Sequence, residues 1–381
     1  MSKMKKLSFV TTTINKPEFL QGYLENVSLN DREESTEFIV VGDLKTPLSV
    51  REYCSKLSSK YGVDVRYFGV QDQLEWIDSR GLEALGRYLP YNSIQRRNIG
   101  YLMAYERSAD VIVSLDDDNL ARGEDIAGKF ASVGESQEVL EVSAPNGWFN
   151  CASMLEYESE DPRDIYHRGF PYSKRDENQE YSFDRSHRKV MVRAGLWLDV
   201  PDIDVITHLE RGPKATKLRD EFRDTPIALS SETFCPVNTQ NTAFHSDLMP
   251  LVHTIPMGDE VDGMEVSRFD DIWLGFFLEK VLHKVGGVVT YGTPLSTHDR
   301  NIHNLKSELE HEAIGIRLNE CLVDMLNKIN ISSSNYNSAY KEIIHKIRRE
   351  SEKESEYLFG AYFKKITDGM KVWVDSYEKV A

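Results

Sequence analysis

"VIVSLDDDNL", residues 111–120, sets four apolar residues and one serine ahead of three consecutive aspartates. Val111, Ile112, Val113 and Leu115 read as a buried β-strand, because a short β-branched run without polar alternation suits a strand covered on both faces. Asp116, Asp117 and Asp118 then place three like charges at its carboxyl end, where they repel unless something positive joins them. Alternate side chains of an extended segment point the same way, so Asp116 and Asp118 can face one cation, and their hard oxygens suit Mg²⁺ or Mn²⁺. A solvated acidic turn or a helix cap is the simpler account of an isolated D-x-D. Here the preceding strand and the pattern around it favour the cation.

That pattern alternates strand and helix. "KLSFVTTTI" (6–14), "EFIVVGD" (37–43) and "VDVRYFGV" (63–70) read as strands. Between them, "NKPEFLQGYLENV" (15–27) and "PLSVREYCSKLSSKYG" (47–62) read as helices, and "YNSIQRRNIGYLMAYERSA" (91–109) as the helix before residue 111. The alternation predicts an α/β fold with a parallel sheet. Ligands of such open sheets sit beyond the carboxyl ends of the strands. Thr11, Thr12, Thr13, Asp43 and the three aspartates are therefore expected around one crevice. Asp43 can accept a hydrogen bond from a uracil or guanine ring nitrogen or serve equally as a turn residue.

Composition narrows the partners. With 46 Lys and Arg against 62 Asp and Glu, the net charge of −16 argues against nucleic acid, and any phosphate ligand needs a local cation. Cys54, Cys151, Cys235 and Cys321 form no CxxC pair, as suits reduced thiols in a cytoplasmic protein. "LSFV" is too short for a signal-peptide core, and no uncharged apolar run approaches the roughly 18 residues that span a bilayer.

From about residue 140 the alternation gives way to aromatic-rich loops, read as a substrate-facing half. "RFDDIWLGFFLEKVLHKVGG" (268–287) returns to a helix and "VVTYGTPLSTH" (288–298) to a strand. Arg96, Arg97 and Asn98 at a helix start could clamp a phosphate or a pyranose hydroxyl, or lie on a solvated face. Arg168 and Arg175 flank the loop "RGFPYSKR", of a kind that closes over a diphosphate sugar. Asp270 and Asp271 open a helix, where one can cap and the other meet the sugar. His298 is a candidate imidazole ligand for the metal, or a structural histidine.

Six blocks, "RRNIGYL", "SLDDDN", "RGFPYSKR", "GLWLDVPDIDVIT", "NTAFHSDL" and "RFDDIWLG", occur in that order across roughly residues 90 to 300. Together they resemble the reversibly glycosylated polypeptides, which are UDP-arabinopyranose mutases, and their bacterial relatives. The resemblance implies a GT-A-like (Rossmann-like) nucleotide-diphospho-sugar fold with a mixed, mostly parallel sheet. It also implies a flavin-independent exchange between pyranose and furanose forms of a nucleotide sugar. Several such proteins are glycosylated on an arginine that matches Arg168, with Arg175 matching the second arginine of the block. Arg168 is accordingly expected as phosphate clamp or stabiliser of the anomeric cation, or as the covalently glycosylated group.

The expected metal set is Asp116, Asp118 and His298. Thr11, Thr12, Asp43, Arg97, Asn98 and Asp117 are expected to hold the nucleotide, and Arg168, Arg175, Asp270 and Asp271 to act on the sugar. A GT-A glycosyltransferase with an external acceptor is the alternative, and a non-catalytic nucleotide-sugar-binding subunit the third reading. The base, whether UDP, GDP or dTDP, stays open. The stretch "DENQEYSFDRSHRK" (176–189) is longer than in the plant proteins, and "THDRNIHN" follows their late histidine segment only in part. A catalytic domain over 1–303 and a helical extension over 304–381, for packing or homo-oligomerisation, complete the expectation.

Overall fold

The structure, a computed structural model, describes residues 4–158, 161–223, 225–298, 305–353 and 358–381. The expected domain boundary at 303/304 and most of "THDRNIHN" lie outside the described residues.

Strands β1 (Leu7–Thr13), β2 (Thr36–Gly42), β3 (Asp64–Phe68) and β4 (Val111–Leu115) form the first half of the sheet in the order β3-β2-β1-β4, every pair parallel. β2 and β4 are buried along their whole length, which accounts for their largely apolar sequences without polar alternation. Helices Leu20–Leu29 and Ser49–Tyr61 connect β1 to β2 to β3, the second closed by left-handed Gly62. Helix Arg97–Glu106 leads into β4 and presses onto the sheet at Gly100, where a Cβ would lie 2.5 Å from a Val10 methyl carbon. Only glycine permits that approach, and it brings the amino end of the helix to the carboxyl ends of β1 and β4.

The second half carries β5 (Asn119–Ala121), β6 (Ser136–Ser143), β7 (Leu155–Tyr157), β8 (Ser182–Asp199), β9 (Ala215–Leu218), β10 (Ile227–Leu229) and β11 (Asn241–His245). A small hairpin, β12 (Glu260–Val261) and β13 (Met264–Glu265), precedes β14 (Val288–His298). β11 joins the parallel half by pairing antiparallel with β4 and β8. β8 is long enough to serve twice. Its exposed first half, Ser182 to Lys189, pairs antiparallel with β6, so the extra charged stretch is a projecting strand. Its buried second half lies beside β11 and β14.

The outcome is the expected α/β architecture, a parallel half continued into a mixed sheet and followed by helices. Those helices, Leu305–Lys328, Tyr336–Lys353 and Leu358–Val380, share the core of the body. Trp373 Nε1 donates to the Met249 carbonyl at 3.1 Å, and Tyr340 meets His253 at 2.8 Å. Two short helices, Val70–Ser79 and Glu83–Tyr88, occupy a stretch for which the sequence suggested nothing.

Candidate active site

Two adjoining cavities open at the carboxyl ends of β1, β2 and β4. One, of about 290 Å³, is lined by Thr12, Thr13, Asp43, Ser93, Arg97 and the three aspartates. The other, of about 320 Å³, is lined by Asp116, Asp118, Arg168, Asp202, Asp270, Asp271 and His298, with Gln95, His208 and Gln240. Asp116 and Asp118 line both and so stand at the junction.

Each aspartate has a separate holder. Asp116 receives Arg97 Nη2 at 2.5 Å, and Arg97, 1% exposed, also donates Nη1 to Ser114 Oγ and the Thr239 carbonyl. Asp117 accepts from Thr13 Oγ1 at 2.8 Å. Asp118 lies 3.2 Å from His298 Nε2. Burial, with Asp118 close by, pushes Asp116 up to about 6 against the pull of Arg97. Burial acts on Asp118 as well, but its bond to His298 holds it below the usual carboxylate range.

The metal expectation can be tested on His298. Its Nδ1 sits 2.8 Å from the Val200 carbonyl, which can only accept, so the Nδ1 proton is committed there. Nε2 then turns a lone pair toward the Asp118 carboxylate, and two acceptors at 3.2 Å need a proton or a cation between them. This is the tautomer of a metal-ligating histidine with a backbone partner. Asp116 is turned to Arg97, and among the described residues no three His, Cys, Asp or Glu groups are gathered at metal-ligand spacing. Asp118 and His298 thus fit an ion that takes its other ligands from water and diphosphate, as Mg²⁺ and Mn²⁺ do.

In the second cavity Arg168 is the centre. Its Nε and Nη2 donate to the two Asp202 oxygens at 2.9 and 3.1 Å, Nη2 and Nη1 to those of Asp271 at 3.2 Å each, and Nη1 also to the Arg268 carbonyl. All five N–H groups have acceptors. The guanidinium can therefore meet a phosphate only by releasing a carboxylate, and the two carboxylates outweigh its charge. Gly169 (φ +88°) makes the placement possible, since a Cβ there would lie 2.3 Å from an Ile272 methyl carbon of helix Asp270–Val285. Arg268 itself adopts φ +66°, a strained backbone beside the site. Asp270 accepts from Gln95 Nε2 at 2.9 Å, and burial beside Asp271 pushes it up to about 6.

Three expected residues are not brought to the cavities. Asn98 is buried and exchanges hydrogen bonds with Thr254, its Nδ2 to the carbonyl and its Oδ1 from the N–H, so it anchors a loop. Thr11 is 2% exposed and donates to the Thr12 carbonyl. Arg175 pairs with Asp204 at 2.8 Å under the Tyr172 ring, away from both cavities. Neither helix-opening aspartate caps in the usual way; Asp271 accepts instead from its neighbour Ile272 N and from Thr239 N.

Asp202 was missed, although it lies in the block "GLWLDVPDIDVIT". A buried acid inside an apolar run was the available signal, because such a charge needs a partner.

A family model described as reversibly glycosylated polypeptide matches residues 61–381, which takes in every residue of the second cavity. The chain belongs to the reversibly glycosylated polypeptide family. Probable UDP-arabinopyranose mutase 4 of Arabidopsis thaliana is 26% identical over 288 residues, 74% of this chain and 71% of that protein. UDP-arabinopyranose mutase 1 of rice, Oryza sativa subsp. japonica, is 24% identical over 290 residues, 74% and 71% of the two chains. Both relatives carry the name of a mutase, and this chain is an enzyme of that class. Among solved structures, the mannosyltransferase PcManGT of Pyrobaculum calidifontis with GDP-Man and Mn²⁺ covers 99% of this chain and 88% of its own, at 8% identity and a TM-score of 0.41. Glucosyl-3-phosphoglycerate synthase of Mycobacterium tuberculosis with Mn²⁺ and UDP-glucose covers 83% and 79%, at 11% identity and a TM-score of 0.40.

Proposed function

We propose that this member of the family interconverts the pyranose and furanose forms of a UDP-linked sugar, without flavin and with a divalent cation, in the cytoplasm. The observation that carries the reading is the junction of the two cavities. A nucleotide in the first and a sugar in the second place the diphosphate between them, at Asp116 and Asp118, where the local charge is negative. UDP-arabinopyranose is the first substrate to try, because the curated relatives act on it. The four free cysteines suit a reducing compartment.

Asp118 and His298 would hold the cation. When bound, it offsets the repulsion between diphosphate and aspartates and stabilises charge on the departing diphosphate. The rest of the work falls to the chain. Arg97 fixes Asp116, and Thr13 fixes Asp117, so the acidic wall keeps its shape when the ligand enters. Arg168, Asp202 and Asp271 together carry a net negative charge, which favours a positive anomeric carbon while diphosphate is detached. Asp270, its pKa pushed up to about 6, is suited to take the proton from the hydroxyl that becomes the new ring oxygen and to give a proton to the old ring oxygen, which leaves the anomeric carbon as a hydroxyl. Attachment of the sugar to Arg168 would need a guanidinium proton to leave, and Asp202 and Asp271 are its acceptors.

The test is a panel of UDP-, GDP- and dTDP-sugars incubated with Mn²⁺ and followed by chromatography and NMR. An isomer of unchanged mass that differs in ring size is the expected product. Free nucleoside diphosphate with transfer to an acceptor would make the protein a glycosyltransferase. Binding without turnover would leave it a nucleotide-sugar-binding subunit.

A further inference from the structure

A separate cavity of about 190 Å³ lies among Lys129, Gln137, Arg193, Phe222, Pro226 and Gly292, and it shares no residue with the two described above. Arg193 projects from β8, and its Nη2 donates to Gln137 Oε1 at 3.2 Å. Its Nε is buried without an acceptor. Because Gln137 Oε1 takes the arginine, the amide orientation is set, and the Gln137 Nε2 donor is buried without an acceptor as well. Among the described residues no Asp or Glu lines the cavity. Neither Arg193 nor Lys129 has an ion pair among the described residues; Arg223 at the rim is paired with Asp220.

A chain with 62 acids to 46 bases has counter-ions to spare, yet it leaves a largely buried guanidinium unpaired here. Burying such a charge and two idle donors is unfavourable unless something negative completes them. The planar fork suits an oxyanion, the second cation favours a doubly charged one, and Phe222 and Pro226 offer apolar contact to a carbon body. We infer that this cavity binds a small phosphomonoester, held by Arg193, Gln137 and Lys129, at a site distinct from that of the nucleotide sugar.

The test follows thermal unfolding of the full chain in phosphate-free buffer titrated with inorganic phosphate or ribose 5-phosphate. Wild type should show a transition temperature rising with ligand concentration, more steeply for the phosphomonoester. Arg193→Met should lose the rise while unfolding no earlier than wild type without ligand. Asp116→Ala, altered at the nucleotide cavity, should keep it. A flat response in wild type, an undiminished rise in Arg193→Met, or loss of the rise in Asp116→Ala alone would each overturn the site. Should Arg193→Met not fold, Gln137→Leu and Lys129→Ala carry the decision by ³¹P NMR titration. Each is expected to weaken phosphate binding several-fold, and wild-type affinity in both overturns the assignment.

Discussion

His298 Nε2 faces Asp118 Oδ2 at 3.2 Å while the other ring nitrogen is occupied by the Val200 carbonyl. The contact is attractive only with a positive centre between the two atoms. Mn²⁺ titrated into the protein should bind in the presence of UDP, and Asp118→Ala or His298→Ala should each weaken it by about 10-fold or more. The bond to Asp118 raises the His298 pKa, so a proton competes for Nε2 and binding should weaken as pH falls. Electron paramagnetic resonance of free Mn²⁺ reads both effects, and equal affinity in wild type and both variants would remove the ion from this place.

Arg168 makes separable predictions for stability and for chemistry. Arg168→Ala leaves Asp202 and Asp271 buried and uncompensated, a loss of roughly 3–5 kcal/mol in denaturant unfolding. Arg168→Lys keeps the charge but not the fork, so it should fold with a smaller loss and turn over at least about 100-fold more slowly. If the sugar attaches to Arg168, intact-mass measurement after incubation with substrate will show one added sugar on wild type and none on the lysine variant.

Asp270 sets a pH dependence of stability. Its folded pKa of about 6 lies above the usual carboxylate value near 3.9, so between those values the folded state holds more protons than the unfolded chain. Stability should therefore decline as pH rises from about 4 to 6, by on the order of 1–3 kcal/mol from this group. Asp270→Asn should flatten that decline in urea unfolding. It should also remove the limb of the pH–rate profile near 6, if the carboxyl moves the ring proton.

Gly100 and Asn98 belong to the frame that presents Arg97. Gly100→Ala drives a methyl group into Val10 and Val41, and a cost of about 1–3 kcal/mol is expected. Asn98→Ala strands the buried Thr254 N–H and carbonyl, again at about 1–3 kcal/mol. Both should lower the melting temperature, with KM for the nucleotide sugar changing little in Asn98→Ala. A large KM effect with unchanged stability would return Asn98 to the binding surface.

The parallel half of the sheet could be read directly because its strands are short, apolar and separated by helices with recognisable ends. The aspartates at the end of β4 were readable for the same reason: a charged triplet after a buried run has few places to go. Arg97 lines the first cavity but spends Nη2 on Asp116, and sequence does not tell a guanidinium offered to a ligand from one paired within the fold. Arg175 and Asn98 look like Arg168 and Arg97 until tertiary pairing with Asp204 and Thr254 separates them. The union of Arg168 with Asp202 and Asp271 spans 34 and 103 residues. Separations of that order leave no local pattern, and the same holds for β8, whose two halves serve different neighbours.

Helix Leu358–Val380 reaches back across the molecule to the earliest part of the chain. Gly369 lets it close on Tyr88, and the Tyr377 ring lies 5.2 Å from that of Tyr105 on the helix that begins with Arg97. During synthesis, then, the first cavity is framed long before its supporting helix has emerged from the ribosome. A nascent chain stalled ahead of residue 358 keeps the apolar backs of those early helices open to chaperones, and competence to bind substrate should arrive late and abruptly.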